Sequence, residues 1–77
     1  MKIRLNYHNL IQVQRYENDS VIDVPDRCTV GSFISMLDIP RNRLPSLLVF
    51  VNDEPVWNST LLKEGDSVKL LVSAGAG

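Results

Sequence analysis

One segment of this chain carries helical periodicity, and it is short. From Val30 onward the apolar residues Val30, Phe33, Ile34 and Leu37 fall at i, i+3, i+4 and i+7, which is one face of an α-helix. Thr29 stands where its hydroxyl can cap the first turn, and Pro40 stands where a helix must stop. The spacing predicts a single helix of about ten residues. Gly31 and Ser32 fall in its first turn, where poor propensity costs less than in mid-helix and a small side chain permits close packing. A lone amphipathic helix cannot bury its own apolar face, so the remaining residues must supply a sheet for it to cover.

The flanking residues read as that sheet. Met1 to Tyr7 alternates Ile3 and Leu5 with Lys2, Arg4 and Asn6, the period of a half-buried strand. Val21 to Val24 is a short β-branched run closed by Pro25, which cannot donate to a ladder. Between them, Leu10, Ile11, Val13 and Tyr16 fit neither period, and the segment from His8 to Tyr16 reads equally as a strand or a helical turn. After the helix, Arg41 to Ser46 is a loop and Leu47 to Val51 an unbroken apolar run, as in a strand covered on both faces or met by a partner on one. Asn52 to Pro55 is expected to turn the chain, with Val56 and Trp57 as a short return strand. Lys63, Glu64, Gly65 and Asp66 form a second turn, and Ser67 to Ser73 a last alternating strand.

This order predicts an α+β domain, a mixed sheet of four or five strands around one main helix. A hairpin, a helical crossover and a return strand laid parallel to the first would make a β-grasp. At 77 residues such a chain buries about 60 to 65% of its unfolded surface and is stable by roughly 4 to 11 kcal/mol. One core fits within those limits, and a large enclosed active site does not. The predicted organisation is a domain over 1–72 and a flexible tail over 73–77.

Charge and composition narrow the partners. Eight Lys and Arg against nine Asp and Glu give no basic footprint for nucleic acid and no polybasic membrane anchor. The longest apolar run is too short to span a bilayer, and the opening residues do not resemble a signal-peptide core, so the expected address is cytoplasmic. A single cysteine, Cys28, excludes an internal disulfide, and no metal-ligand set is spaced for a site. Cys28 precedes the helix cap, where free amides could activate a thiol, yet a free cysteine more often packs as a small hydrophobe. His8 lacks the partners that a base or ligand requires. Asp23 and Asp26 flank Pro25 without a second acid–base group, and Arg41 and Arg43 read as a solvated loop. No glycine-rich phosphate loop follows a strand, so the chain itself is expected to bind no cofactor and to catalyse nothing.

The last five residues, Ser73, Ala74, Gly75, Ala76 and Gly77, are small and uncharged. Such a segment gains little by packing and keeps its chain entropy. It is either a frayed terminus or a narrow arm that carries the carboxylate of Gly77 into another protein's active site. Glycine suits the second role because it has no Cβ to clash with a tight channel. A carboxylate is a poor acyl donor, so the partner would have to activate it, most simply as an acyl adenylate made from ATP.

Set in order, several pieces of the chain resemble the ubiquitin-like sulfur carriers of the ThiS/MoaD family, which serve thiamin and molybdenum-cofactor synthesis. They are the opening strand Lys2 to Tyr7; Ile22, Asp23, Val24 and Pro25 followed by Cys28, Thr29, Val30 and the helix; Val49 to Glu54; Lys63 to Val68; and the glycine-ended tail. The resemblance implies a β-grasp fold. It also implies that an E1-like enzyme adenylates the C-terminal glycine, which becomes a thiocarboxylate and gives sulfur to a biosynthetic enzyme of a molybdopterin, tungsten-cofactor or thiamin pathway. On this footing Gly77 bears the reactive carboxylate and Gly75 helps to thread the arm. Ala76 departs from the family's Gly-Gly ending, and its methyl group widens the arm and restricts positive φ. The long His8 to Tyr16 segment leans toward the molybdenum type. Leu48, Phe50 and Leu71 are the expected docking patch if Val49 and Val51 face the core; the opposite assignment would bury them instead. Two other readings share the fold: a protein modifier joined through Gly77 to a lysine, and a β-grasp interaction module without carrier chemistry.

Overall fold

A computed structural model describes residues 1–7, 13, 16–39, 44 and 47–72. Its elements, in order, are β1 (Lys2–Tyr7), β2 (Ser20–Asp23), α1 (Val30–Met36), β3 (Leu47–Val51), β4 (Glu54–Pro55) and β5 (Ser67–Val72). They form one five-stranded sheet in the order β2-β1-β5-β3-β4. β1 and β5 run parallel at its centre, with Leu5 beside Val68 and Tyr7 beside Leu70. The other neighbours are antiparallel. This is the α+β β-grasp that the pattern of one helix among short strands predicts.

The alternation along each strand decides which face is dry. Ile3 and Leu5 of β1, Ile22 of β2, Val51 of β3 and Val68 and Leu70 of β5 all point to one side and are buried. Val30 and Phe33 of α1, with Leu37 at its C-cap, belong to the same core. Phe33, Ile3, Leu5, Leu37, Leu70, Val30 and Val68 are fully buried, so the driest part of the core is shared by the helix segment and the parallel pair β1 and β5. Val13 and Ile39 extend this core and Tyr16 packs against it. The other residues from His8 to Arg15, with Pro40, Arg41 and Arg43, lie outside the described residues, and with them the choice between strand and helical turn.

The helix starts as its sequence dictates and stops early. The Thr29 hydroxyl accepts from the Ser32 N–H at 3.1 Å, and the two preceding free amides find carbonyls in the loop ahead of β5. Val30 N–H donates to the Thr60 carbonyl at 2.8 Å, and Gly31 N–H to the Asn58 carbonyl at 2.9 Å. Three of the four free donors at the helix start, the Val30, Gly31 and Ser32 N–H groups, are thus satisfied. A Cβ on Gly31 would come within 3.2 Å of both the Cβ and the carbonyl oxygen of Asn58, so glycine is what allows this loop to approach. At the other end α1 spans seven residues rather than about ten. It closes at Leu37, whose N–H turns back to the Ile34 carbonyl at 3.1 Å. Asp38 then takes a left-handed conformation, φ 58°, and so ends the helix before Pro40 is reached.

The return strand also differs from the expected Val56 and Trp57. Asn52 and Asp53 both adopt positive φ, 52° and 68°, which makes a two-residue turn with the twist a hairpin favours. Val51 therefore pairs with Glu54 and Phe50 with Pro55, and Pro55 ends the edge strand. Asn52 anchors this turn to the next one, donating to Asp66 Oδ1 at 3.0 Å and accepting from the Ser67 N–H at 3.0 Å. Gly65 takes the expected positive φ, 84°, and its N–H donates to the Lys2 carbonyl at 2.9 Å.

Candidate functional site

The face of the sheet away from α1 is graded along its strands. At one end Lys2 pairs with Asp23 and Arg4 with Asp19, each at 3.0 Å. The Lys2 ammonium donates to the Asp23 carboxylate and holds its pKa below the usual carboxylate range. Asp26 faces the N-terminal ammonium at 3.7 Å. These acids are tied up in surface ion pairs of small energetic weight, not arranged as an acid–base couple.

Toward the other end the face becomes apolar. Asn6, Lys69, Phe50 and Pro55 lie side by side across four strands, and the next row pairs Leu71 with Leu48. Leu48 is 45% exposed, while Phe50 and Leu71 are half-buried. Their strand neighbours Val49, Val51, Leu70 and Val72 belong to the core or pack against it. The register thus places Leu48, Phe50 and Leu71 together on the outer face.

That apolar end is where the tail departs. β5 ends at Val72, beside Leu47. Gly75, Ala76 and Gly77 lie outside the described residues, but five residues of fully extended chain reach at most about 17 Å.

Cys28 is buried, its Sγ donating to the Thr29 carbonyl at 3.4 Å. Burial pushes the thiol's pKa up, so proximity to the helix start does not activate it. No group of His, Cys, Asp and Glu suited to a metal occurs among the described residues. His8 is outside them.

Trp57, expected in a short return strand, stands instead on the loop after Pro55, 81% exposed. The signal was present in the residues around it, since Pro55 before it and Asn58, Ser59 and Thr60 after it favour a loop.

A central parallel pair within a five-stranded mixed sheet, covered by one helix among the described residues, is the ubiquitin-like β-grasp fold. A crystal structure of SAMP1 from Haloferax volcanii superposes on the chain with a TM-score of 0.69 at 15% identity, over all of both chains. At that identity the likeness concerns the fold. No protein-family model and no curated protein matches the chain. No helix among the described residues is long and apolar enough to cross a membrane.

Proposed function

We propose that this protein is a sulfur carrier charged on Gly77 by an E1-like adenylating enzyme in the cytoplasm. The observation that carries the reading is positional. A tail of small residues ending in glycine continues from the central strand of a β-grasp domain, at the apolar end of an otherwise polar outer face. The chain supplies the acyl group and the grip, and the partner supplies the catalysis and the ATP.

In the first step a Gly77 carboxylate oxygen attacks the α-phosphorus of ATP, forming the acyl adenylate and releasing pyrophosphate. A sulfur donor at the oxidation level of hydrosulfide then attacks the acyl carbon, and AMP leaves. The resulting thiocarboxylate is consumed by a biosynthetic enzyme of cofactor synthesis, of the molybdopterin, tungsten-cofactor or thiamin type. The domain's part is to hold the tail's root still. Val72 packs against the core beside Leu47, which fixes the point from which the partner reaches Gly77.

A protein modifier, with Gly77 joined to a lysine amine, uses the same fold and the same adenylate, and differs only in the nucleophile that displaces AMP. The first test addresses the step common to both. ATP–pyrophosphate exchange by the E1-like enzyme should depend on this chain and disappear when Gly77 is deleted. Exchange that is indifferent to that deletion would remove Gly77 from the chemistry.

A further inference from the structure

Trp57 is the chain's one tryptophan, and at 81% it is the most exposed large hydrophobic residue among those described. Its backbone is nonetheless well fixed. Trp57 N–H donates to Thr60 Oγ1 at 3.2 Å, and Thr60 N–H donates back to the Trp57 carbonyl at 3.0 Å. The same loop accepts from the Val30 and Gly31 amides through the carbonyls of Thr60 and Asn58. An indole left in water on a loop held at both ends is preorganised. It has large area to bury and only two side-chain torsions to fix, the properties of an interface anchor. It also borders a groove of about 260 Å³ at the β3 edge, lined by Leu47 and Val49 from the core-facing side and by Leu48, Phe50 and Pro55, so the indole reaches the apolar end of the outer face around that edge.

The charges around that groove state what should cover it. On the outer face Lys2 and Arg4 each have an acidic partner. Lys69, beside Phe50, forms no ion pair among the described residues, although Asp53 lines the same shallow hollow. An apolar surface laid over Phe50 would strip water from the Lys69 ammonium, which then needs a carboxylate.

We propose that Trp57 is the anchor of the docking surface for the activating enzyme. The contact runs from Leu71, Leu48 and Phe50 across the two-residue edge strand to the indole, and the enzyme surface that covers it is apolar with a carboxylate facing Lys69. This inference rests on the carrier reading above, because it assigns the surface to the enzyme that adenylates Gly77.

The single tryptophan supplies the probe. 5-Fluorotryptophan incorporated into the full chain gives one ¹⁹F resonance, to be followed during titration with the E1-like enzyme in the absence of ATP. The resonance should shift or broaden as the complex forms. Trp57→Ala should raise Kd by about 30-fold, the scale of a hot-spot truncation, with an unchanged urea midpoint because the side chain packs on little. Lys69→Glu should weaken binding and flatten its dependence on salt. A complex that forms with the resonance unmoved, or with unchanged affinity for Trp57→Ala, overturns the assignment and leaves the carrier function intact. A resonance that moves with the concentration of this chain alone identifies a second copy as the occupant and also overturns it. No complex and no pyrophosphate exchange would remove the carrier reading and this inference with it.

Discussion

Leu70 and Leu71 are adjacent in β5 and face opposite ways, which makes them a paired test of what the outer face is for. Leu70 is fully buried, so Leu70→Ala should cost about 2 to 5 kcal/mol through lost transfer energy and the cavity it leaves. Leu71 is half-buried opposite Leu48. Full burial of a leucine is worth about 1.5 to 3 kcal/mol, so Leu71→Asp forfeits roughly 1 to 1.5 of that. The poor strand propensity of Asp adds up to about 1 kcal/mol more. The sum, about 2 kcal/mol, is below the roughly 4 to 11 kcal/mol available to a domain of this size, and Leu71→Asp should remain folded. Urea unfolding measures the first quantity, and the dependence of adenylation rate on carrier concentration measures the second. Leu70→Ala should lower the urea midpoint more than Leu71→Asp does, yet keep its KM for the enzyme wherever it is folded. Leu71→Asp should stay folded and raise KM by tenfold or more. Unfolding of Leu71→Asp would show that the residue belongs to a core, and a folded Leu71→Asp with unchanged KM would show that no partner uses this face.

Three further outcomes follow from particular residues. Ala76→Gly should increase the rate of adenylation, since it narrows the arm and frees its backbone; an equal or lower rate in pyrophosphate exchange contradicts the channel argument. Gly31→Ala places a methyl group 3.2 Å from the Asn58 carbonyl oxygen, an overpacking cost of about 1 to 3 kcal/mol that exceeds the gain of up to about 1 kcal/mol in helix propensity. Its urea midpoint should fall, and a rise would mean that the loop yields freely. Cys28 should resist alkylation in the native state and react on unfolding. Because burial raises the folded pKa of this thiol, its contribution to stability is complete below the unfolded thiol's pKa and declines as pH rises toward the folded value. Stability profiles of wild type and Cys28→Ala across that alkaline range should therefore diverge, and parallel profiles would contradict the assignment.

The helix was legible because its signals are local. A threonine at the cap and four apolar residues on one face say where it begins and what it covers, and Thr29 and Phe33 do what the pattern predicts. Its end was not, because Pro40 is the visible stop while the actual one is a left-handed Asp38, a conformation that aspartate tolerates without announcing it. The β3–β4 hairpin was misplaced for the same reason. Asn52 and Asp53 supply positive φ without a glycine, so the turn is shorter and the return strand earlier than the spacing of Val56 and Trp57 implies. Sheet order was readable only through the demand of one helix for one covered face, and the parallel pairing of β1 with β5 follows from the crossover between them. The outer-face patch lay between the two. An unbroken run from Leu47 to Val51 does not reveal which alternate set is buried, and that is settled by register with β5. The exposure of Trp57 depended in turn on the misplaced hairpin, so the sequence hid the residue that extends the patch.

Carrier chemistry would exchange a single atom at the C-terminus. Intact mass spectrometry of the full chain, after incubation with the E1-like enzyme, ATP and a sulfur donor, tests it directly when fragmentation assigns the change to a residue. The carrier account predicts replacement of one oxygen by one sulfur, confined to Gly77 and absent without ATP. Adducts joining Gly77 to lysine amines of other proteins would contradict it in favour of a modifier, and an unchanged mass, with the enzyme shown to be active on another carrier, would contradict both.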